Sequence, residues 1–129
     1  MSTYLSIVIA KSRVNPVRPM ALPRLELVAA TIATRLADFV LKALTNVKIN
    51  KCVLWSDSQI TIHWIRSHKT LPAFVENRVR EIRTGSFDDI KYCSAEENPA
   101  DLLTRGITTN DLNRSKLWWE GPHWLKGGK

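Results

Sequence analysis

The sequence predicts an α/β domain in which short strands alternate with helices. Three observations carry this reading. Thr3–Lys11, TYLSIVIAK, is rich in β-branched and aromatic residues, as strands are. From about Arg24 to Leu44 the apolar residues recur at helical spacing. The short apolar run Cys52-Val53-Leu54-Trp55 then stops abruptly at Ser56-Asp57-Ser58-Gln59. A buried strand that delivers a carboxylate at its C-terminal tip is where open α/β sheets place their chemistry.

The elements follow in order. Asn15, Pro16 and Pro19 break regular structure between Ser12 and Leu22, which reads as a loop. Pro23 suits the first turn of the long helix, where its missing N–H costs nothing. At about 100° per residue, Ala29, Ala30, Ala33, Ala37, Val40 and Leu44 share one face, and Arg24, Thr31, Arg35, Asp38 and Lys42 the other. Glu26 falls within the apolar face. It is either a wet first-turn carboxylate favoured by the helix dipole or a buried one that needs a partner or a metal.

Asn46–Asn50 turns into the Cys52–Trp55 strand. Ser56 or Asp57 can cap a helix over about Ser58–Arg66, with Ile60, Trp64 and Ile65 facing inward. Leu71-Pro72 opens another helix, about Ala73–Thr84, whose charged face holds Arg78, Arg80, Glu81 and Arg83. Ile90–Ser94 reads as a short strand. Asn98 is a good N-cap and Pro99 a good N1, which places Asp101 at N3 of a helix through Thr104. A short helix opens at Thr108–Asp111, and Gly121-Pro122 sets a turn among Trp118, Trp119 and Trp124, which pin the C-terminus or stack on bases.

At 129 residues the chain suffices for one domain, taken as 1–125 with a polar tail at 126–129. The apolar stretch Leu25–Leu44 is interrupted by Arg35 and Asp38, so no membrane span and no membrane partner is expected. Leu5–Ala10 is too short for a signal-peptide core, and the expected location is intracellular, cytoplasmic or nuclear. Cys52 and Cys93 lie in apolar runs and read as buried small hydrophobes. His63 and His68 stand five apart, which does not bring two ring nitrogens together. A net charge of +7 from 19 basic and 12 acidic residues favours a polyanionic partner such as nucleic acid.

The order of these pieces is strand, helix with an early Glu, strand ending in Asp, helices, strand, and helix with Asp in its first turn. That order resembles the ribonuclease H fold. More closely, LPRLELVAA (22–30), WSDSQ and HWIRS (within 55–67), FVENRVREI (74–82), ENPADLLTRG (97–106) and LWWEGPHWL (117–125) resemble the ribonuclease H region of Pao/BEL-type retrotransposon polyproteins. The resemblance implies a mixed sheet flanked by helices. It also implies a cluster of four carboxylates holding two Mg²⁺ ions about 4 Å apart to hydrolyse the RNA strand of an RNA–DNA hybrid. Mg²⁺ is hard and prefers oxygen, which accounts for carboxylates rather than His or Cys.

By that resemblance Glu26, Asp57 and Asp101 are metal ligands and catalytic residues, and Ser58, Gln59 and Asn98 are substrate-binding positions. The implied partners are an RNA–DNA hybrid and the reverse transcriptase and integrase regions of the parent polyprotein. The family's first aspartate, on the central strand in a motif like F-x-D-A-S, has no counterpart here. The expectation is therefore a domain missing its first, central strands, with three of four ligands, inactive alone and an endonuclease only when completed. The alternative is a non-catalytic nucleic-acid or protein-binding module derived from it. Without the central strand, Thr3–Lys11 is expected to pair with Cys52–Trp55 or to present an open edge.

Overall fold

The computed structural model describes residues 5–12, 20–104 and 106–127. They divide into two compact units, one made of the described residues within 14–92 and the other of those within 1–13 and 93–129. The predicted loop at Ser12–Leu22 and the start of the Thr3–Lys11 segment lie largely outside the described residues.

The central unit begins with α1, Leu22–Ala43, preceded by Ala21 and carrying Pro23 in its first turn. Only Leu27, Ala30, Thr31 and Thr34 of this helix are fully buried. The buried stripe is therefore rotated from the expected one: Ala29 is exposed and Thr31, assigned to the polar face, is inside. The hydroxyls explain the difference. Thr31 Oγ1 donates to the Leu27 carbonyl and Thr34 Oγ1 to the Ala30 carbonyl, each at 3.0 Å. A threonine that satisfies its hydroxyl within its own helix can be buried at little cost.

Next come β1 (Val53–Ser56), α2 (Gln59–Arg66), α3 (Ala73–Thr84) and β2 (Asp89–Tyr92). β1 and β2 pair in parallel, with Val53 opposite Asp89 and Ser56 opposite Tyr92. A parallel pair needs a long crossover, which α2 and α3 provide. The ladder gains a further rung because Cys52 N–H donates to the Asp88 carboxylate and Asp88 N–H to the Cys52 carbonyl, both at 2.7 Å. Cys93 is buried as expected, whereas Cys52 is only partly so; that partial burial, with Asp88 and Asp38 nearby, pushes the Cys52 thiol up from its usual range.

Leu27, Ala30, Leu54, Ile65, Val75, Val79 and Ile82 form one core drawn from all three helices and β1. Ile60, expected inside, is 48% exposed, and Thr61 and Ile62 take the inward positions of α2. The helical period of α2 runs through 58, 61, 62 and 65 rather than through 60, while Trp64 packs partly buried against the core as expected.

α1 and α3 run in the same direction. Arg24 meets Phe74, Arg35 meets Glu81, and further along Asp38 accepts from the backbone N–H and hydroxyl of Ser86. Arg35 holds both Glu81 oxygens, at 2.7 and 2.9 Å, and this hydrogen bonding keeps the Glu81 carboxyl below the usual carboxylate range. Arg83 donates to the Ile65 and Ser67 carbonyls, serving as a C-terminal cap for α2 from another helix.

The helices converge at Gly85. A Cβ there would stand 2.3 Å from Thr34 Cγ2, and Thr34 is 1% exposed and cannot move aside. Gly85→Ala is thus expected to destabilise the unit by about 1–3 kcal/mol. A urea-denaturation midpoint equal to wild type would refute this close approach.

The second unit contains the segment 5–12 and the C-terminal stretch. The expected strand at Thr3–Lys11 is corrected: its described part, 5–11, has no regular secondary structure, and β1 pairs only with β2 among the described residues. An apolar β-branched run forms a strand only where a partner edge satisfies its backbone, and intrinsic preference does not supply that edge. The rest of the unit is built of short turns: 3₁₀ helices at Ala95–Glu97 and Pro99–Thr104, α4 (Thr109–Arg114), α5 (Lys116–Glu120) and a 3₁₀ helix at His123–Gly127. Thr108 caps α4 and Ser115 caps α5 by accepting backbone N–H bonds at 3.1 and 3.3 Å. Gly121, at φ 73°, ends α5 in a conformation that favours glycine. Trp119 Nε1 donates to the Asn113 carbonyl at 2.9 Å and Trp124 Nε1 to the Glu97 carboxylate, so both indoles tie the C-terminal stretch together. Among the described residues no helix is long and apolar enough to cross a membrane.

Candidate carboxylate site

Asp57 follows directly on β1, between two serines that do the local hydrogen bonding. Ser58, 6% exposed, is the N-cap of α2: its Oγ accepts from Thr61 N–H at 3.1 Å. The Ser58 N–H in turn donates to Ser56 Oγ at 3.1 Å. The sequence offered Ser56 or Asp57 as that cap, and the structure moves the role one residue on. The turn places Asp57 before the helix begins, so its half-buried side chain is not spent on capping. The Asp57 carboxylate makes no hydrogen bond or ion pair with another described residue.

Ser58→Ala is expected to cost about 1 kcal/mol, the usual value of a lost cap. Asp57→Asn, which removes a charge but no cap, is expected to shift the thermal midpoint by much less. If the two variants melted in the reverse order, Asp57 would be the structural residue.

Glu26 lies on the second turn of α1, half-buried. Relative to the stripe Leu27, Ala30, Thr31 and Thr34, it sits roughly 90° round the helix. The expectation that it falls inside the apolar face is thus corrected to its flank, because the threonines turn the helix. A flanking carboxylate keeps contact with water while its stem packs, which suits an ionised ligand better than full burial does. Glu26 and Asp57 belong to the same unit, in which α1 packs on β1. Both offer hard oxygen donors, the chemistry that Mg²⁺ takes.

Asp101 belongs to the other unit. It is the third residue of the Pro99–Thr104 3₁₀ helix and half-buried, and its N–H donates to the Asn98 carbonyl at 3.1 Å. Asn98 Oδ1 accepts from Ala100 N–H at 3.1 Å, so Asn98 opens this helix as its sequence position predicts. Gln59 is the exposed first residue of α2. Within each unit taken by itself, no three His, Cys, Asp or Glu side chains among the described residues are grouped to hold a metal. A cavity of about 350 Å³ in the C-terminal unit is lined by Glu96, Glu97, Glu120 and His123 among others, and by none of the six candidate residues.

The sequence reading missed an aromatic–basic cluster where the first turn of α1 meets the start of α3. The Arg24 and Arg78 guanidinium carbons lie 5.0 and 3.7 Å from the centre of the Phe74 ring. The i, i+4 spacing of Phe74 and Arg78 was a visible signal, but Arg24 joins only through the pairing of α1 with α3.

Residues 1–58 match the family model described as the Pao retrotransposon-like RNaseH-like domain. The span includes Glu26 and Asp57 and ends at the capping Ser58. No curated protein and no solved structure matches the chain. The stretch from the N-terminus through the WSDS tip is therefore similar to the Pao retrotransposon-like RNaseH-like domain, the family that the motifs of the whole chain resemble.

Proposed function

We propose that the chain is part of a retrotransposon ribonuclease H that hydrolyses the RNA strand of RNA–DNA hybrids. The observation that carries this is the β1 tip, where Ser58 takes over the capping role and leaves the Asp57 carboxylate available, inside the span matched by the family. By the family resemblance Glu26 and Asp57 would bind Mg²⁺, and Asp101 is carried over as a further ligand on the same ground. Bound there, the ions would supply an activated water and stabilise the charge on the leaving oxygen. The side chains would set the positions of those ions, and the partial burial of Glu26 and Asp57 would limit competing solvation. The family's further carboxylate, an aspartate on a central strand, has no counterpart among these residues, so the chain by itself would be inactive in this reading. Its partners would be the hybrid and the reverse transcriptase and integrase regions of the polyprotein.

The test is Mg²⁺-dependent cleavage of a labelled hybrid, alone and after joining the missing strand. The second reading, a binding module without catalysis, is favoured by the net charge of +7. It predicts hybrid binding indifferent to Glu26→Gln. The catalytic reading predicts that this substitution weakens Mg²⁺ binding, which calorimetric titration would measure directly.

A further inference from the structure

We infer that Arg24 and Arg78, gathered on the ring of Phe74, form a clamp for a phosphate of a nucleic-acid backbone; the inference rests on the proposed nucleic-acid function and names residues for it. Two like charges held against one ring repel each other, and each cation–π contact offsets only about 0.5–1 kcal/mol at an exposed site. An anion bridging the two guanidiniums turns that repulsion into attraction.

The other arginines of α1, α2 and α3 are engaged elsewhere. Arg35 takes both oxygens of Glu81, and Arg80 lies 3.7 Å from Glu76. Arg83 donates to the Ile65 and Ser67 carbonyls, and Arg66 to the Ile90 carbonyl. Arg78 keeps one bond, from Nη1 to the Phe74 carbonyl at 3.3 Å, and feels Glu81 only through space. Arg24 is exposed and forms no ion pair with another described residue.

Two further features favour a phosphate. A planar guanidinium stacked on a ring keeps its N–H fork free at the edge, in the geometry that matches phosphate oxygens. Arg24 is also the third residue of α1, a long helix whose N-terminal positive end no side chain caps. Two residues along a helix turn about 200°, so the clamp lies round α1 from Glu26, on the side that meets Phe74 of α3. A lipid surface fits less well. Phe74 packs against the core instead of projecting beyond the arginines, so no apolar anchor accompanies the charges.

The experiment is fluorescence anisotropy of the full chain with a labelled RNA–DNA hybrid across a salt series. Arg24→Gln and Arg78→Gln are compared with Lys48→Gln, which removes the same charge from an exposed loop. Circular dichroism confirms that each variant is folded, and the exposed Arg24 supplies the decisive variant if Arg78→Gln disturbs α3. Each clamp variant is expected to bind roughly tenfold more weakly and to lower the slope of log K against log salt by about one. Arg24→Gln behaving like Lys48→Gln would overturn the clamp. Clamp-dependent binding to phosphatidylserine vesicles, with hybrid binding unaffected, would overturn its assignment to nucleic acid. Hybrid cleavage is read separately: clamp-dependent binding by a completed protein that cleaves nothing removes the nuclease reading and keeps the clamp. Cleavage that is insensitive to Arg24→Gln, with binding unchanged, does the reverse.

Discussion

Joined in frame to a segment that supplies a central strand ending in aspartate, the chain is expected to cleave the RNA of an RNA–DNA hybrid in Mg²⁺. In that protein Asp57→Asn should reduce kcat by roughly a thousandfold or more, about 4 kcal/mol of transition-state stabilisation. The reason is electrostatic. Two divalent ions brought together repel strongly, and only converging carboxylates offset that repulsion. With three such groups the chain alone should bind Mg²⁺ weakly and show no turnover. Robust cleavage by the 129-residue chain, abolished by Asp57→Asn, would sink the requirement for a fourth ligand. Failure of the joined protein to cleave, with hybrid binding intact, would leave only the binding module.

Leu27→Ala is expected to produce the largest loss of stability, about 3–5 kcal/mol. Leu27 is wholly buried where α1 meets the rest of the core, and it directly follows Glu26 in the helix. Total stabilities of small proteins are only about 5–15 kcal/mol, so such a loss would unfold a large fraction of a marginal unit. Leu22→Ala, at a position 65% exposed on the same helix, is the matched control and should change the midpoint little. Urea denaturation followed by tryptophan fluorescence gives both values. A cost below about 1 kcal/mol for Leu27→Ala would mean that this helix is not docked as described.

Much of this could be read from local pattern. The helices at Leu22–Ala43, Gln59–Arg66 and Ala73–Thr84 stand within two residues of their expected bounds. Helical periodicity is repeated over several turns, and proline, glycine and serine mark the ends. The Asn98-Pro99 start of the late helix was legible for the same reason. Errors arose where a side chain has two physical options. Threonine counts as polar in a hydropathy pattern, yet Thr31 and Thr34 are buried because their hydroxyls bond within α1. Ser56, Asp57 and Ser58 are all competent caps, and only the backbone path at the end of β1 selects Ser58.

Of the candidate site, the sequence supplied the residue types and their order: a glutamate early in a long helix, an aspartate at a strand tip and an aspartate in a late first turn. Those features are local, so the sequence alone determined them, together with the family resemblance. Tertiary structure decided what is exposed and what is shared between elements. It set Glu26 on the flank of the buried stripe, left 5–11 without strand structure, ran α1 alongside α3, and so put Arg24 and Arg78 on one ring. The physical reason is that strand pairing and helix docking depend on residues far apart in the chain. Whether a β-prone segment finds an edge, or two arginines share an aromatic ring, is settled by packing rather than by any local propensity.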